Sequence, residues 1–345
     1  MSPSPLRIGV LGCANIARAF IRDVAASPAV AVVAVASRNA DKAAAFARET
    51  GVARSHGSYE ALLADPAVDA IYLPLPNSLH AAWALRAADA GKHVLCEKPL
   101  AVSHDEAQAM FDAARRAGVI LLEAYPYWFQ PQTGTLVQLL ADGAIGTVRS
   151  VQASFGFQLP PGSDANIRLQ PDLGGGALLD AGSYAASFIR LVMGDAPQRV
   201  WAHATWGASG VDLSTVATLL WDDGRRAQLS CAMDGGFHRH AQVVGSDGVL
   251  QTEFMNHTHH SEQGHPWGFR PSLLRLRRGA ANRADWEQPP CGTGSGFRFA
   301  AEAFARLVAT RDHAAAQRAA QASLDIAATL QAIAASARSG RVTAV

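Results

Sequence analysis

The sequence predicts an α/β domain on a parallel sheet, followed by an α+β domain with an open, mostly antiparallel sheet. Three observations lead there. The first third of the chain alternates short apolar runs with Ala-rich helical segments, the pattern of βαβ units with helices on both faces of a sheet. Beyond Tyr125, strand-like segments follow one another with turn signals between them. At 345 residues the chain also exceeds the size at which one core keeps growing, so two domains are expected, 1–125 and 126–345.

Leu6–Leu11 is an apolar run interrupted once by Arg7 and reads as a buried strand. Asn15–Ala26 reads as a helix, Val30–Ser37 as a strand, and Ala40–Glu49 as a helix closed by Gly51. The alternation continues with a strand at Asp69–Leu73, a helix at Ser78–Ala90 ended by Gly91, and a strand at His93–Cys96. Ser103 and Glu106 form a capping box for a helix running to Ala117, and Val119–Ala124 is the last strand of the series. In the second domain, helices are expected at Thr133–Ala141, Gly176–Val192, Phe297–Ala309 and Gln321–Arg338. Strands are expected at Thr147–Gln158, Arg199–Trp206, Ser214–Trp221, Arg225–Met233, Ala241–Val244 and Val249–Glu253. Asp222-Asp-Gly224 and Ser246-Asp-Gly248 are their hairpin turns.

Composition narrows the function classes. The chain is 49% hydrophobic and 17% charged, with a formal net charge of +1, so neither nucleic acid nor an anionic membrane is indicated as the main partner. The run Arg270–Arg283 is rich in arginine and reads as a solvated strand and loop. Cys13, Cys96, Cys231 and Cys291 are widely spaced, which argues against a disulfide framework and a cysteine zinc site. Residues 1–5 lack the features of a signal peptide, and no apolar run approaches the roughly 20 residues that span a bilayer. A cytoplasmic protein is expected.

The first strand–turn–helix reads Gly9-Val-Leu-Gly12-Cys-Ala14-Asn-Ile-Ala17. Against the dinucleotide fingerprint of a Rossmann domain, Gly12, Ala14 and Ala17 take the three glycine positions, and Ala14 is the real departure. The opening of the helix, Asn15 and Ile16, then faces the phosphates. The second strand ends Ala36-Ser37-Arg38-Asn39, where NAD enzymes carry a ribose-binding acid. Ser37 and Arg38 in its place favour a 2′-phosphate, hence NADP, with NAD the alternative.

At the carboxyl end of the His93–Cys96 strand stand Glu97, Lys98 and Pro99, facing the crevice where cofactors bind in such folds. Far along the chain a glycine run, 174–176, opens a helix carrying Asp180 and Tyr184 at i and i+4. Lysine, carboxylate and phenol form a plausible proton-handling set. The plainer alternatives are a surface Glu97–Lys98 pair and a half-buried tyrosine on an ordinary helix.

These pieces resemble the glucose-fructose oxidoreductase/inositol dehydrogenase family (Gfo/Idh/MocA). The chain is similar to the branch holding dimeric dihydrodiol dehydrogenases and bacterial xylose dehydrogenases. The likeness rests on residues 9–17, Leu75-Pro76-Asn77-Ser-Leu-His80, Glu97-Lys98-Pro99, 123–131, Asn166-Ile-Arg168 and 174–184, and covers essentially the whole chain. It implies hydride transfer between nicotinamide and a hydroxyl or carbonyl of a sugar, polyol or diol. Tyr184 is then the general acid/base, Lys98 orients the reacting oxygen, and Asp180 orients substrate or Lys98. The stretch Leu75–His80 lines the cofactor in relatives, although His80 reads equally as a helix-start residue satisfied by backbone. Trp128 stands where the branch usually has Arg, near the substrate pocket, and Arg168 is a cofactor or substrate contact. The resemblance also implies association through the second-domain sheet, as a dimer or higher homo-oligomer.

His257, His259, His260 and His265 invite a metal reading, but their spacing suits an exposed loop and no catalytic metal is expected. Two other functions stand beside the dehydrogenase. One is a non-catalytic dinucleotide sensor; the other is a cofactor-retaining oxidoreductase or a lyase using a transient oxidation.

Overall fold

A computed structural model describes residues 4–163, 165–261, 263–279 and 284–345. Most of the segment considered for a signal peptide (1–3) and the end of the arginine run (280–283) lie outside the described residues. The α/β part holds β1 (Leu6–Leu11), α1 (Asn15–Val24), β2 (Val30–Ala36), α2 (Ala40–Thr50), β3 (Arg54–His56) and α3 (Tyr59–Leu63). It continues with β4 (Ala70–Leu73), α4 (His80–Asp89), β5 (His93–Glu97), α5 (His104–Ala117) and β6 (Leu121–Ala124). There follow α6 (Pro131–Ala141), β7 (Val148–Gln158), α7 (Ser183–Met193), β8 (Arg199–Trp206), β9 (Asp212–Leu220) and β10 (Arg226–Ala232). The chain ends with β11 (Asp234–Gly245), β12 (Gly248–Thr252), β13 (Leu274–Arg278), α8 (Gly296–Thr310), α9 (His313–Ser339) and β14 (Thr343–Ala344).

The first sheet is wholly parallel, in the order β3-β2-β1-β4-β5-β6. Its strands are nearly continuous apolar runs because helices cover both faces. The order reverses between β1 and β4, and the crevice beyond the carboxyl ends of those two strands is the ligand position of such sheets. The second sheet has eight strands in the order β13-β12-β11-β7-β10-β9-β8-β14, and only the β7–β10 pair is parallel. Both sheets agree with the predicted fold class.

Within the second sheet, β8 and β10 alternate. On β8, Val200, Ala202 and Ala204 are buried while Trp201 and His203 face out; on β10, Ala227, Leu229 and Cys231 are buried. The buried face packs against α7. The other face stays open, with Trp201 49% and Val216 51% exposed.

The compact units revise the expected single boundary after residue 125. One comprises Met1–Pro126 with Ser295–Gln321, the other Tyr127–Gly294 with Ala322–Val345. The reason lies in α8, whose apolar stripe of Phe297, Ala300, Ala301, Phe304 and Ala305 is buried in the first unit. Phe297 meets Phe20 of α1 edge-on at 6.0 Å, and the Ser295 hydroxyl donates to the buried Asp23 carboxylate at 2.5 Å.

Candidate active site

The turn after β1 needs a glycine. Gly12 has φ +114°, and a Cβ there would come within 2.9 Å of the Leu75 side chain. Gly12 N–H donates to Ala36 O at 2.9 Å, tying the turn to β2. Ala14 is the N-cap of α1 and offers no side-chain cap, and the first turn, beginning at Asn15 and Ile16, holds no acid. The helix therefore presents uncapped amides and its positive end at the switch point, as a diphosphate site requires. Ala17 is fully buried where helix packs on sheet. The group these residues suit is a dinucleotide.

At the end of β2, Ser37 is buried and its hydroxyl accepts from Asn39 N–H. Arg38 is exposed and lies beside the Tyr59 phenol, whose pKa burial raises while Arg38 opposes that rise. Arg18 is already paired with Glu49 at 2.5 Å. No carboxylate stands on Ala36–Asn39, so the strand end carries a cation where a ribose-binding acid would otherwise be.

Leu75, Pro76 and Asn77 are half-buried after β4 and border the Gly12 turn. His80 opens α4 and meets backbone, as one of its two sequence readings has it. It is fully buried, with Nδ1 2.9 Å from Pro99 O and Nε2 2.8 Å from Leu75 O; a neutral ring donates to one of these carbonyls, and only the imidazolium to both. It lies between the loop after β4 and Pro99. Glu97 is likewise turned to structural use, buried and accepting from the Tyr72 hydroxyl at 2.6 Å. Glu123, whose role the sequence did not reveal, is buried and accepts from Leu100 N–H at 2.8 Å. Lys98, half-buried, thus leaves β5 from a loop held on three sides by buried polar groups.

In the second unit, Gly174–Gly176 is the cradle that brings Arg168 to Asp180. Gly176 N–H donates to Arg168 O at 2.9 Å, and a Cβ on Gly175 would lie 2.5 Å from that same oxygen. Asp180 sits in a π-helical turn, Leu178–Gly182, which runs into α7. Such wide turns often mark functional sites, and this one replaces the regular α spacing assumed from the sequence. Arg168 Nε donates to Asp180 Oδ2 at 2.5 Å, with its guanidinium 5.5 Å from the Phe157 ring centre. The two residues assigned separately from sequence therefore act as a pair.

Tyr184 is buried, and its hydroxyl accepts from Asn256 Nδ2 at 2.9 Å. Trp128 Nε1 donates to the Tyr127 hydroxyl at 2.7 Å, and the Tyr127 ring lies 6.1 Å from that of Tyr184. Trp128 thus supports the wall around Tyr184. Burial pushes the Tyr127 phenol far above its ordinary value, so Tyr127 is a poor proton carrier. Sequence reasoning missed Asn256, Phe155 and Arg239, which complete this wall. Arg239 lies on the part of β11 where glycines and histidines hide the strand alternation. The histidine loop forms ring stacks, His257 and His265 each lying against Phe269. Among the described residues no group of three or more His, Cys, Asp or Glu converges as a metal site.

A parallel α/β sheet with an uncapped helix at its switch point defines a dinucleotide-binding protein with a second, mixed-sheet domain. Residues 6–125 match the model of the oxidoreductase family with NAD-binding Rossmann fold, and residues 134–251 match the Gfo/Idh/MocA C-terminal domain. The chain belongs to the Gfo/Idh/MocA family. It is 45% identical over 248 residues to D-xylose 1-dehydrogenase (NADP(+)) 2 of Haloferax volcanii, covering 71% of this chain and 75% of that protein. It is 36% identical over 249 residues to trans-1,2-dihydrobenzene-1,2-diol dehydrogenase of Danio rerio, covering 71% and 74%. The crystal structure of KijD10, a 3-ketoreductase from Actinomadura kijaniata in complex with NADP and TDP-benzene, superposes with a TM-score of 0.82. Its identity is 32% over 96% of this chain and 98% of that one.

The His80 clamp has a measurable consequence. Burial is the main cause lowering its pKa, against the pull of the two carbonyls. The unfolded chain takes up a proton near about pH 6.5, where the folded chain resists it, so stability is full above that pH and falls as the pH drops below it. Urea unfolding between pH 7 and 5 should show a loss in the parent protein, up to about 1.4 kcal/mol per pH unit, that His80→Gln lacks. Equal slopes in the two proteins would show that the buried ring takes up its proton as readily as the unfolded chain does.

Proposed function

We propose that this oxidoreductase acts with NADP(H) on a hydroxyl or carbonyl of a sugar, polyol or related diol. Tyr184 serves as general acid/base, Lys98 orients and electrostatically assists the reacting oxygen, and Asp180 orients substrate. The observation that carries the reading is the uncapped, acid-free N-terminus of α1 at the switch point, on the same sheet edge from which Lys98 emerges. Bound nicotinamide supplies the hydride acceptor or donor. The chain's own part is to hold the substrate oxygen and move its proton. Asp180, accepting from Arg168, offers its remaining lone pairs to substrate hydroxyls, while the Tyr184 phenol takes or returns the proton. The D-xylose dehydrogenase and 3-ketoreductase relatives support a sugar substrate. The four free cysteines suit a reducing compartment, and we assign the protein to the cytoplasm. No helix among the described residues is long and apolar enough to cross a membrane.

A panel of aldoses and diols beginning with D-xylose, followed at 340 nm with NADP+, tests the activity. No net turnover on any member would favour the sensor or cofactor-retaining alternative. On the substrate found, Lys98→Met and Tyr184→Phe should each lower kcat by about 10²–10⁴-fold while leaving cofactor binding largely intact. Near-normal turnover of Tyr184→Phe would remove it as proton carrier.

Arg38 is assigned to the 2′-phosphate. Hydrogen bonds to charged groups contribute roughly 1.5–3 kcal/mol, so Arg38→Ala should weaken NADPH about ten- to a hundredfold and NADH far less. Higher salt should narrow the preference, because Arg38 is exposed. Equal effects on both cofactors would show that Arg38 merely packs on adenine.

We assign the open face of the eight-stranded sheet to contact with another copy of the chain. Trp201 and Val216 stand half-exposed there among Gln152, Thr218, Gln228 and His240. Light scattering should give a dimer or a multiple of it, which Trp201→Glu with Val216→Lys converts to a monomer. A monomeric mass for the parent chain would count against this interface.

A further inference from the structure

Phe237 is the most exposed large hydrophobic side chain among the described residues, at 67%. Its ring meets Phe155 of β7 edge-on at 6.2 Å, and Phe155 in turn meets Tyr184 edge-on at 5.4 Å. Phe155 also lies 5.9 Å from Phe157, whose ring centre is 5.5 Å from the Arg168 guanidinium. Phe155 and Phe157 are both half-buried. The three phenylalanines thus form one partly open ledge, with the Arg168–Asp180 pair beside Phe157 and Tyr184 against Phe155.

A wide bulge in β11 puts Phe237 there. Asp234 pairs with Gln158 and His238 with Gly156, so Gly235, Gly236 and Phe237 stand opposite Phe157 alone. Bulges re-aim side chains, often beside a site. Neither glycine stands at positive φ, and a Cβ on either would meet nothing within 4 Å, so the backbone path does not require glycine. Two consecutive glycines give the bulge conformational freedom instead. His238 restrains it from the other face of the sheet. Its ring lies where a side chain on residue 156 would stand, and its Nδ1 is 2.9 Å from Gly236 O. Phe237 shares the inward face with Phe155, whereas Trp201 and Val216 stand on the outward face assigned to another copy of the chain. That contact therefore does not explain the exposed ring, and its neighbours are the groups to which the proposed function gives the substrate.

We propose that Phe237, with Phe155 and Phe157, is a stacking ledge for the C–H face of a cyclic substrate, and that Phe237 selects rings over open-chain polyols. A sugar in its ring form carries hydroxyls around the rim and groups C–H bonds on a face. The rim hydroxyls need acceptors such as Asp180, whereas the C–H face is apolar and gains from an aromatic surface. An open-chain polyol has no lasting face of this kind, and ordering it along the ledge costs freedom about each C–C bond. The assignment rests on Tyr184 and Asp180 as the reacting site.

Phe237→Ala, Phe237→Leu and Phe237→Tyr test it. With NADP+ and the cyclic compounds D-xylose and trans-cyclohexane-1,2-diol, the Ala and Leu variants should raise the substrate KM about tenfold or more, with kcat and the cofactor KM changing less. The Tyr variant keeps the ring and should stay close to the parent. The KM for open-chain xylitol should barely move in any of them. Because the side chain is exposed, thermal unfolding should shift little. An unchanged KM for the cyclic compounds in the Ala variant would overturn the proposal, as would a Leu variant equal to the parent or loss of the oligomer in the Ala variant. A second readout needs no turnover. Phe237→Trp with NADPH bound, its emission corrected for the parent's, is titrated with methyl β-D-xylopyranoside, trans-cyclohexane-1,2-diol and xylitol, alcohols that NADPH cannot reduce. A saturable change with the cyclic compounds and none with xylitol is expected; no change with either cyclic compound would remove the ledge. If no compound is oxidised, the dehydrogenase reading falls instead, and the emission still decides whether Phe237 meets a ring.

Discussion

The Asp212 carboxylate fixes the start of the segment from which Asp180 and Tyr184 project, and the second unit's chemistry depends on it. It accepts from Leu178 N–H at 2.8 Å and from the Thr215 hydroxyl at 2.8 Å. Burial raises its pKa, and these donors oppose the rise. A carboxylate at the amino end of a helix satisfies an otherwise orphaned amide and meets the positive end of the dipole. The contact is possible because residue 176 is glycine: a Cβ there would sit 2.2 Å from Asp212 Oδ1, and its φ of +117° suits glycine alone. Moving this anchor would displace Asp180, Arg168 and Tyr184 together.

The first unit meets the same problem with different groups. Lys98 leaves β5 from a loop with three buried polar groups around it: Glu97 takes the Tyr72 hydroxyl, Glu123 takes the Leu100 amide, and His80 lies between Pro99 O and Leu75 O. Each such group is costly to bury unless hydrogen-bonded, and each bond fixes a piece of backbone next to the lysine. In both units, then, buried polar groups fix the backbone beside a side chain to which the proposed function gives the chemistry. The motif residues near Lys98 divide accordingly: the lysine stays half-buried, while Glu97 and His80 are spent on holding it.

How much of this is legible in the sequence follows from periodicity. Strands β1, β2, β4 and β5 are predominantly apolar runs, and they stand within a residue of where the sequence puts them. β3 and α3, at three and five residues, are too short for any period to register. β11 was foreseen as Ala241–Val244 but is twelve residues long, because Gly235, Gly236 and three polar residues break its alternation. That half of the strand carries Arg239, so the residue could not be read as part of the site. α9 begins at His313 rather than Gln321, since its first turns are Ala-rich and mostly solvent-facing and show no apolar stripe. The Arg168–Asp180 pairing was equally out of reach, because it depends on a close backbone approach that glycines permit but do not announce.

The pairing also divides the labour between carboxylate and phenol. Arg168 offers only donors, so Asp180 meets it as an acceptor, and the same electron-rich oxygens remain to accept from substrate hydroxyls. An acceptor held this way can orient an alcohol but has no proton to return to an alkoxide. Tyr184 differs on both counts. Its oxygen accepts from Asn256, and its ring lies against Phe155 and Tyr127 rather than against a salt bridge. Of the two residues projected by this one helical segment, the proposed function accordingly gives orientation to the carboxylate and proton transfer to the phenol. Under the proposed function a substrate alcohol would meet both at once, which would favour molecules with neighbouring hydroxyls over simple alcohols.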